Sequence, residues 1–446
     1  MKIHHLLPLL GALCCAPSHA DTRFTPAQLQ QDLQFMRQAI ESTHPEPTLR
    51  SGRDAYEQAF RTAQERLSQP RSRDEAWRAL AAMNPAFNDG HLGVILPDWR
   101  AEVRSHLQAG GKLFPFEVRI DQQGRLLILH TLGGGATPLA RQPIDSINGV
   151  PAAQLLRELG GLVHGDTPAF RNKLLERRLW LYYWKAYGAP QQFALRVNGR
   201  AMEVPAATAQ PAALTADATF EQNFRFRMLP GGVGVLTVNQ FSWGDKQRFY
   251  QFTERAFTAL RDAAATTLVI DVRENTGGDD DMWKLGILRY IAHQPFRNGA
   301  GYVKKVIEGR AGPGEKVGDI VTGSVDTWHQ PEPGHPLHFR GKVFVLVGDV
   351  TYSSAVLFSN TVQDYGFGKL VGAGGHAYAR QTGGIQKRHI LPNTRLEVVV
   401  PRFVLDRPSG RHEPALVQPD IVLADDPFER DALLNALLKH PAASAN

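Results

Sequence analysis

Two adjacent serines, Ser353 and Ser354, lie where an apolar, strand-like run gives way to an amphipathic, helical run, in the segment VTYSSAVLFSNTVQDYG. A serine at such a joint is displayed at the end of a buried strand, next to helix N–H groups that can face an attacked carbonyl. The position also suits a serine that only caps the helix. A serine nucleophile needs a base, so this interpretation requires a histidine or lysine from elsewhere in the chain.

A second strand-to-helix joint occurs earlier, in LVIDVRENTGGDDDMW. Gly277 and Gly278 let the backbone approach a ligand closely and can aim N–H groups at an anion, although a tight turn needing positive φ has the same sequence. The acids Asp279, Asp280 and Asp281 suit helix caps better than a metal site, because no partner lies at ligand spacing. A glycosidase built on them is disfavoured, since adjacent acids on one helix start point in different directions.

These joints belong to a region of alternating strands and helices after residue 219. The apolar strands predict a largely parallel sheet covered on both faces, with the ligand site at the carboxyl ends of the strands. The predicted strands are 233–238, 267–272, 342–347 and 369–371, and the predicted helices are 245–262, 280–293 and 355–364.

The preceding chain divides into a helical part and a mixed part. Thr25 and Pro26 predict a helix start, and further helices are predicted at 53–67 and 74–83. Hairpins are predicted at 114–129 and 193–204, and a helix at 167–187. With an Ala- and Pro-rich linker at 206–219, we predict a multi-domain α/β protein with regions 21–105, 106–210 and 211–446.

The first twenty residues, MKIHHLLPLLGALCCAPSHA, have the pattern of a secretory signal peptide cleaved near Ala20. Both cysteines, Cys14 and Cys15, lie in this leader, so a mature chain beginning near Asp21 has no thiol. No later apolar run is long enough to cross a bilayer, which predicts a periplasmic or secreted protein. The net charge of +6 is scattered, which argues against a nucleic-acid partner.

The two joints together resemble the tail-specific or C-terminal processing peptidases and their relative, the tricorn core protease. DVRENTGG resembles that family's strand motif, and the helix ending in QDYG resembles its nucleophile helix. The resemblance implies a ClpP- and crotonase-like core with Ser353 as nucleophile. It also implies an oxyanion hole built from Gly277 or Gly278 together with Ser354.

The base implied by the resemblance is a histidine. Tyr378 occupies the position of the lysine of the processing peptidases, so the Ser-Lys dyad is absent. The tricorn-like branch instead uses a histidine from a segment similar to Asp-Gly-His, which implies His91 as base. Its glutamate near a terminal Pro-Asp segment corresponds to Glu413, which would orient His91 or stabilise its charge, although Glu413 could instead be an exposed loop acid. The implied enzyme is a serine peptidase acting on peptides or unfolded proteins without metal or cofactor.

Two features of the sequence allow more than one interpretation of how a ligand is bound. The loop GAGGHAYARQTGG contains Gly375 and His376, for which we predict substrate contacts, although His376 is also a second candidate base and the loop could be a glycine-rich connector. The segment 145–151 resembles part of a PDZ domain, so the middle region is a peptide-end reader or a degenerate β domain. The alternative function is a catalytically inactive binding protein of the same fold, with a peptide or lipid ligand.

Overall fold

The N-terminal region is helical, as its sequence predicts. The computed structural model describes residues 23–215, 219–375, 377–384 and 386–444, and the predicted signal peptide and His376 lie outside them. Thr25 caps the first helix in a capping box with Gln28, and Pro26 occupies the first turn. The elements are α1 (Pro26–Thr43), α2 (Arg53–Arg66), α3 (Arg73–Ala81), α4 (Asn84–Phe87), β1 (Gly93–Ile95) and α5 (Trp99–Gln108).

The middle region combines hairpins with three helices. The predicted helix over 167–187 is two helices, one ending at Glu176 and one beginning at Leu179, because Arg178 departs from helical geometry with a φ of −141°. The break turns Tyr183 onto Phe193 of the following hairpin, with ring centroids 5.5 Å apart. The elements are β2 (Phe116–Ile120), β3 (Leu126–Thr131), β4 (Ile144–Ile147), β5 (Val150–Pro151), α6 (Ala152–Gly160), α7 (Pro168–Glu176), α8 (Leu179–Tyr187), β6 (Gln192–Val197) and β7 (Arg200–Pro205).

The predicted linker at 206–219 is attached to this middle region at Ala207 and Ala212. Ala207 pairs with Leu113 in an isolated bridge. The amide of Ala212 donates to Glu117 at 3.0 Å. The Ala- and Pro-rich composition therefore marks a connection that packs against its neighbours.

The C-terminal region contains a sheet ordered β19-β14-β13-β10-β9-β8. In this sheet β9, β10, β13, β14 and β19 are parallel, which confirms the expected βαβ core. The remaining strand, β8, is an antiparallel edge strand. The first elements are α9 (Phe220–Asn223), β8 (Phe224–Leu229), β9 (Val233–Val238), α10 (Lys246–Asp262), β10 (Thr267–Asp271), α11 (Asp280–Trp283), α12 (Arg289–Ile291), β11 (Gly301–Lys305), β12 (Ile320–Ser324) and β13 (Lys342–Leu346). The rest are α13 (Ser354–Asp364), β14 (Lys369–Gly372), β15 (Gln381–Gly383), β16 (Lys387–Ile390), β17 (Glu397–Val400), β18 (Phe403–Leu405), β19 (Ile421–Val422), α14 (Ala432–Leu438) and α15 (Pro441–Ser444).

Two further sheets were not predicted from the sequence. One has the order β12-β11-β18-β15, and the other has the order β1-β17-β16. In the second sheet, β1 of the N-terminal region pairs antiparallel with β17, with Gly93 opposite Val399 and Ile95 opposite Glu397. This pairing ties the segment just before β1, which contains Asp89 and His91, to the core.

The parallel sheet is buried on both faces. Leu268 and Ile270 of β10 belong to the large core cluster, whereas Val269 packs in a second cluster with Leu433 and Leu437 of α14. This alternation is the two-residue period of a strand with helices on both sides. Within the described part of the chain, none of the helices has the length and apolar character needed to cross a membrane.

Candidate active site

Ser353 occupies a strained turn between β13 and α13. Its φ is +55° and its ψ is −126°, a conformation that L residues rarely adopt. Its side chain makes no capping hydrogen bond, although Ser353 immediately precedes the first residue of α13. A half-buried hydroxyl held in a costly backbone conformation is a feature of functional sites, where strain is retained for geometry.

The glycine pair lies directly against this serine. Gly277 and Gly278 have φ values of +104° and +139°. A Cβ atom on Gly277 would lie 2.6 Å from the Cβ of Ser353, so no side chain fits there. The amide of Gly277 donates to the Asn275 side chain at 2.8 Å. Gly278 is an exposed residue, and its amide has no hydrogen-bond partner among the residues that the structure describes.

The acids after the glycine pair have structural contacts. The Asp280 carboxylate accepts the hydroxyl hydrogen of Ser354, and the Ser354 oxygen accepts the Trp283 indole N–H at 2.9 Å. Asp279 caps α11 by accepting the Asp281 amide, and it forms an ion pair with Lys246. In the described residues, no group of three or more His, Cys, Asp or Glu side chains could hold a metal ion.

His91 is buried beside the serine turn, with 5% of its surface exposed. Its Nδ1 lies 3.1 Å from the hydroxyl oxygen of Thr382, and that hydroxyl donates to Asp89 at 2.7 Å. Because the hydroxyl hydrogen is used by Asp89, Thr382 accepts from an Nδ1–H group, which assigns the proton of the neutral ring to Nδ1. Nε2 then carries a lone pair and can act as a base.

Burial keeps this histidine neutral. Burial lowers the pKa of His91 to about 4, and the charge of Asp89 opposes this in part. Burial alone would raise the pKa of Asp89, but the hydrogen bond and charge of His44 lower it below the ordinary value. The His44 Nε2 atom lies 3.5 Å from Asp89, and its Nδ1 accepts the Glu46 amide. Near neutral pH the arrangement is therefore a neutral imidazole next to a buried carboxylate.

One short strand and one tyrosine connect the serine and the histidine. The Tyr352 ring, one residue before Ser353, packs on the His91 ring with centroids 4.6 Å apart. On β15, Gln381 accepts the Ser353 amide at 3.2 Å, and the next residue, Thr382, contacts His91. β15 thus contributes to both candidate catalytic groups.

The family model for peptidase family S41 matches residues 232–423, which contain both joints and the parallel sheet. This part of the chain belongs to peptidase family S41. The prediction of a serine-type peptidase is confirmed at this level. The search of curated proteins found no match.

Solved structures agree with the S41 fold. Mature CPAF complexed with lactacystin is 16% identical, with a TM-score of 0.61 over 89% of this chain and 94% of that one. Mature CPAF is also 16% identical, with a TM-score of 0.60 over 89% of this chain and 93% of the other. At this identity the similarity is one of fold, and it extends beyond the S41 domain to the N-terminal and middle regions.

Other predicted site residues lie in the loops of the S41 domain. Glu413 is exposed in the loop between β18 and β19, and it has no hydrogen bond or ion pair with any residue that the structure describes. Tyr378 packs under the Arg50 guanidinium, 3.8 Å from its ring centroid. Gly375 packs against the carbonyl of Val417, where a Cβ would be only 1.9 Å away. The predictions for Glu413 and Gly375 stay predictions.

Several S41-domain residues at the site were not found from the sequence. Asn275 could have been singled out, because it lies inside the motif DVRENTGG and its side chain accepts the Gly277 amide. Gln381 and Thr382 carry no comparable signal, since an ordinary Gln-Thr pair on a short strand has no diagnostic spacing.

Proposed function

We propose that this serine-type peptidase hydrolyses peptide bonds in peptides or unfolded proteins, with Ser353 as nucleophile and His91 as general base. The observation that carries the proposal is the placement of His91 against the residue before Ser353, although 262 residues separate the Asp-Gly-His segment from Tyr352. A strained serine turn, a neutral buried histidine and a glycine backbone together supply the groups needed for acyl transfer.

In the proposed reaction, the Ser353 oxygen attacks the scissile carbonyl while Nε2 of His91 takes the hydroxyl proton. The resulting imidazolium returns that proton to the leaving amine, and the peptide bond breaks to give an acyl-serine ester. Water then attacks the ester with His91 again acting as base, which releases the carboxylic acid and restores Ser353. The neutral ring required at the start is supported by the lowered pKa of His91.

For the oxyanion we propose the amides of Gly278 and Ser354. The Gly277 amide is already hydrogen-bonded to Asn275, which favours Gly278 between the two glycines. Ser354 begins α13, so its amide belongs to the first turn, where N–H groups have no helical partner. Two such donors stabilise the negative charge that develops on the attacked oxygen.

We assign the orientation of His91 to Thr382 and Asp89. Thr382 fixes the tautomer by accepting from Nδ1, and the Asp89 charge favours the imidazolium that forms during the reaction. Glu413, which the family resemblance suggests for this role, would have to move from its exposed position to reach the ring.

The test is covalent labelling and turnover of the mature protein. Wild-type protein should be labelled by a fluorophosphonate at Ser353 and should cleave unfolded casein, while Ser353→Ala and His91→Ala should lose turnover. Tyr378→Phe should retain it, since Tyr378 replaces the lysine of the other branch. Absence of both labelling and turnover in the wild type would overturn the proposal and favour a binding protein of the same fold.

We also propose that the chain is exported and that its leader is removed near Ala20. The protein recovered from the periplasm or medium of an expressing bacterium should begin near Asp21. Protein found only in the cytoplasm with Met1 retained would contradict export, without bearing on the chemistry.

A further inference from the structure

Asp166 connects three separate segments at the candidate site. It lies between α6 and α7 of the middle region, and only 3% of its surface is exposed. One carboxylate oxygen accepts the Gly90 amide at 2.8 Å and the Tyr352 hydroxyl at 2.7 Å. The other accepts the Tyr378 amide at 2.9 Å. No motif or spacing in the sequence distinguishes this aspartate.

Each donor is adjacent to a group that the reaction depends on. Gly90 precedes His91, Tyr352 precedes Ser353, and Tyr378 belongs to the loop between β14 and β15. The contact between the first two is tight, because a Cβ on Gly90 would lie 2.6 Å from the Tyr352 ring. The same ring packs on Phe170 of α7, with centroids 4.7 Å apart.

We propose that Asp166 is a positioning residue, whose ionised carboxylate holds the base segment and the nucleophile segment at their working distance. The inference rests on the proposed roles of Ser353 and His91. If Asp166 has this role, the middle region contributes a residue to the active site. Activity then also depends on the protonation state of Asp166, in addition to that of Ser353 and His91.

The chemistry of the three contacts explains why the charge matters. All three neighbours donate, and a carboxylate can accept from all of them. A protonated carboxyl has an O–H of its own, and the two backbone amides cannot accept it. The Tyr352 hydroxyl, which also accepts the Gly90 amide at 3.1 Å, could accept it only by giving up its own donation to Asp166, so protonation removes at least one contact.

The surroundings place this titration near neutral pH. Burial, followed by the charge of Asp89, raises the pKa of Asp166 to about 7. Other titratable groups lie around Asp166. They are His91 on the segment before β1, His164 and Arg171 of the middle region, and Tyr352 and Tyr378 of the C-terminal region. Because the pKa of His91 is about 4, an acid limb near 7 in kcat/KM would report Asp166 and not the base itself.

The first test is the pH profile of kcat/KM for Asp166→Asn. The amide has one acceptor oxygen for three donors, so we expect kcat at pH 8 to fall at least about tenfold with little change in KM. The remaining acid limb should move from near 7 towards the pKa of His91.

Tyr352→Phe provides a test in the opposite direction. It keeps the ring but removes a donor that stabilises the charged form of Asp166, so the acid limb should move above its wild-type position. This variant also keeps the inference falsifiable if Asp166→Asn fails to fold.

The matched control is Asp32→Asn. Asp32 is a buried carboxylate that also accepts two backbone amides and a hydroxyl, from Asn393 and Thr394, but it joins α1 to the β16–β17 turn. Its replacement should lower the melting temperature and leave the acid limb unchanged. An Asp166→Asn enzyme that keeps wild-type kcat, or loses activity without moving its acid limb, would overturn the inference.

A readout independent of turnover separates this inference from the proposed function. The Tyr378 amide can be followed by NMR in Ser353→Ala protein labelled with [15N]tyrosine, since the chain has only 10 tyrosines. Its shift should titrate near pH 7 and should stop doing so when Asp166→Asn is added. If wild type shows no Ser353-dependent hydrolysis, the proposed function and the catalytic role of Asp166 are both wrong. If the Tyr378 amide does not titrate, the ionised Asp166 carboxylate does not hold the segments together, and the inference is wrong whether or not the protein is active.

Discussion

The nucleophile side and the base side of the candidate site are held by different kinds of interaction. Ser353 and Gly277 follow β13 and β10, which are adjacent parallel strands in register from Thr267 with Lys342 to Asp271 with Leu346. Backbone conformation then fixes the serine turn and the glycine turn against each other, and both turns have positive φ. Geometry on this side depends on the path of the main chain.

The base side is assembled from distant side chains. His91 is held by Thr382, Asp89 and, through Asp89, by His44. Among the described residues, strand pairing links this segment to the core at β1 alone. The nucleophile side should therefore be the more sensitive of the two to changes in backbone conformation. The base side should be the more sensitive to changes in charge or pH.

The largest effect should come from crowding the nucleophile side. Gly277→Ala places a Cβ 2.6 Å from the Ser353 Cβ and 2.9 Å from the Ser354 amide nitrogen, at a φ that disfavours alanine. Because the serine and the proposed oxyanion donors move together, kcat/KM should fall on the order of 10²- to 10³-fold. Steady-state kinetics on a quenched peptide measures this.

The control for backbone strain is Gly52→Ala. Gly52 also has a positive φ, +77°, but a Cβ there meets nothing within 4 Å. Its replacement should cost stability only, by about 1 kcal/mol. Equal losses of activity in the two variants would show that strain in general, and not crowding of Ser353, is responsible.

Removing charge from the base side should have the next largest effect. Asp89→Asn preserves shape but removes the carboxylate that favours the His91 imidazolium, so kcat should fall about 100-fold. Thr382→Val should lower kcat by a similar factor. The double variant should lose little more activity than either single variant, because Asp89 and Thr382 both act through the His91 ring. Additive losses would contradict a single connected network.

This division explains which parts of the site can be predicted from sequence. Ser353, Gly277 and Gly278 lie at the ends of apolar strands, and carboxyl ends of adjacent parallel strands meet at one edge, so a local pattern implies a shared site. Thr382 contacts Asp89 across 293 residues. That contact depends on the antiparallel sheets, whose short and partly polar strands carry a weak periodic signal, as in KRHI of β16.

Acid should remove stability through buried His91 and half-buried His164, whereas Asp166, whose pKa is raised to about 7, contributes in the opposite direction because its folded form gains a proton first. Burial lowers the pKa of His91 and of His164 to about 4 each, from 6.5. Their folded forms bind fewer protons than the unfolded chain, so stability is complete above pH 6.5 and is lost as pH falls towards 4. At about 1.4 kcal/mol per pKa unit, each contributes up to about 3 kcal/mol to this loss.

Urea unfolding at pH 7 and pH 4.5 tests this dependence. His164→Gln should reduce the difference between the two unfolding free energies, whereas His130→Gln, at an exposed position on β3, should leave it unchanged. An equal pH dependence in wild type and His164→Gln would show that the loss originates elsewhere.

The smallest effect should come from Glu413→Gln, which tests the family-based alternative for the base side. Exposed Glu413 forms no hydrogen bond or ion pair with a described residue, and Thr382 occupies the Nδ1 side of His91. We therefore expect kcat/KM to stay within about twofold of wild type, as for surface substitutions in general. A loss comparable to that of Asp89→Asn would mean that the loop carrying Glu413 closes on His91 when substrate binds, and Asp89 would then be the second of two carboxylates serving the same base.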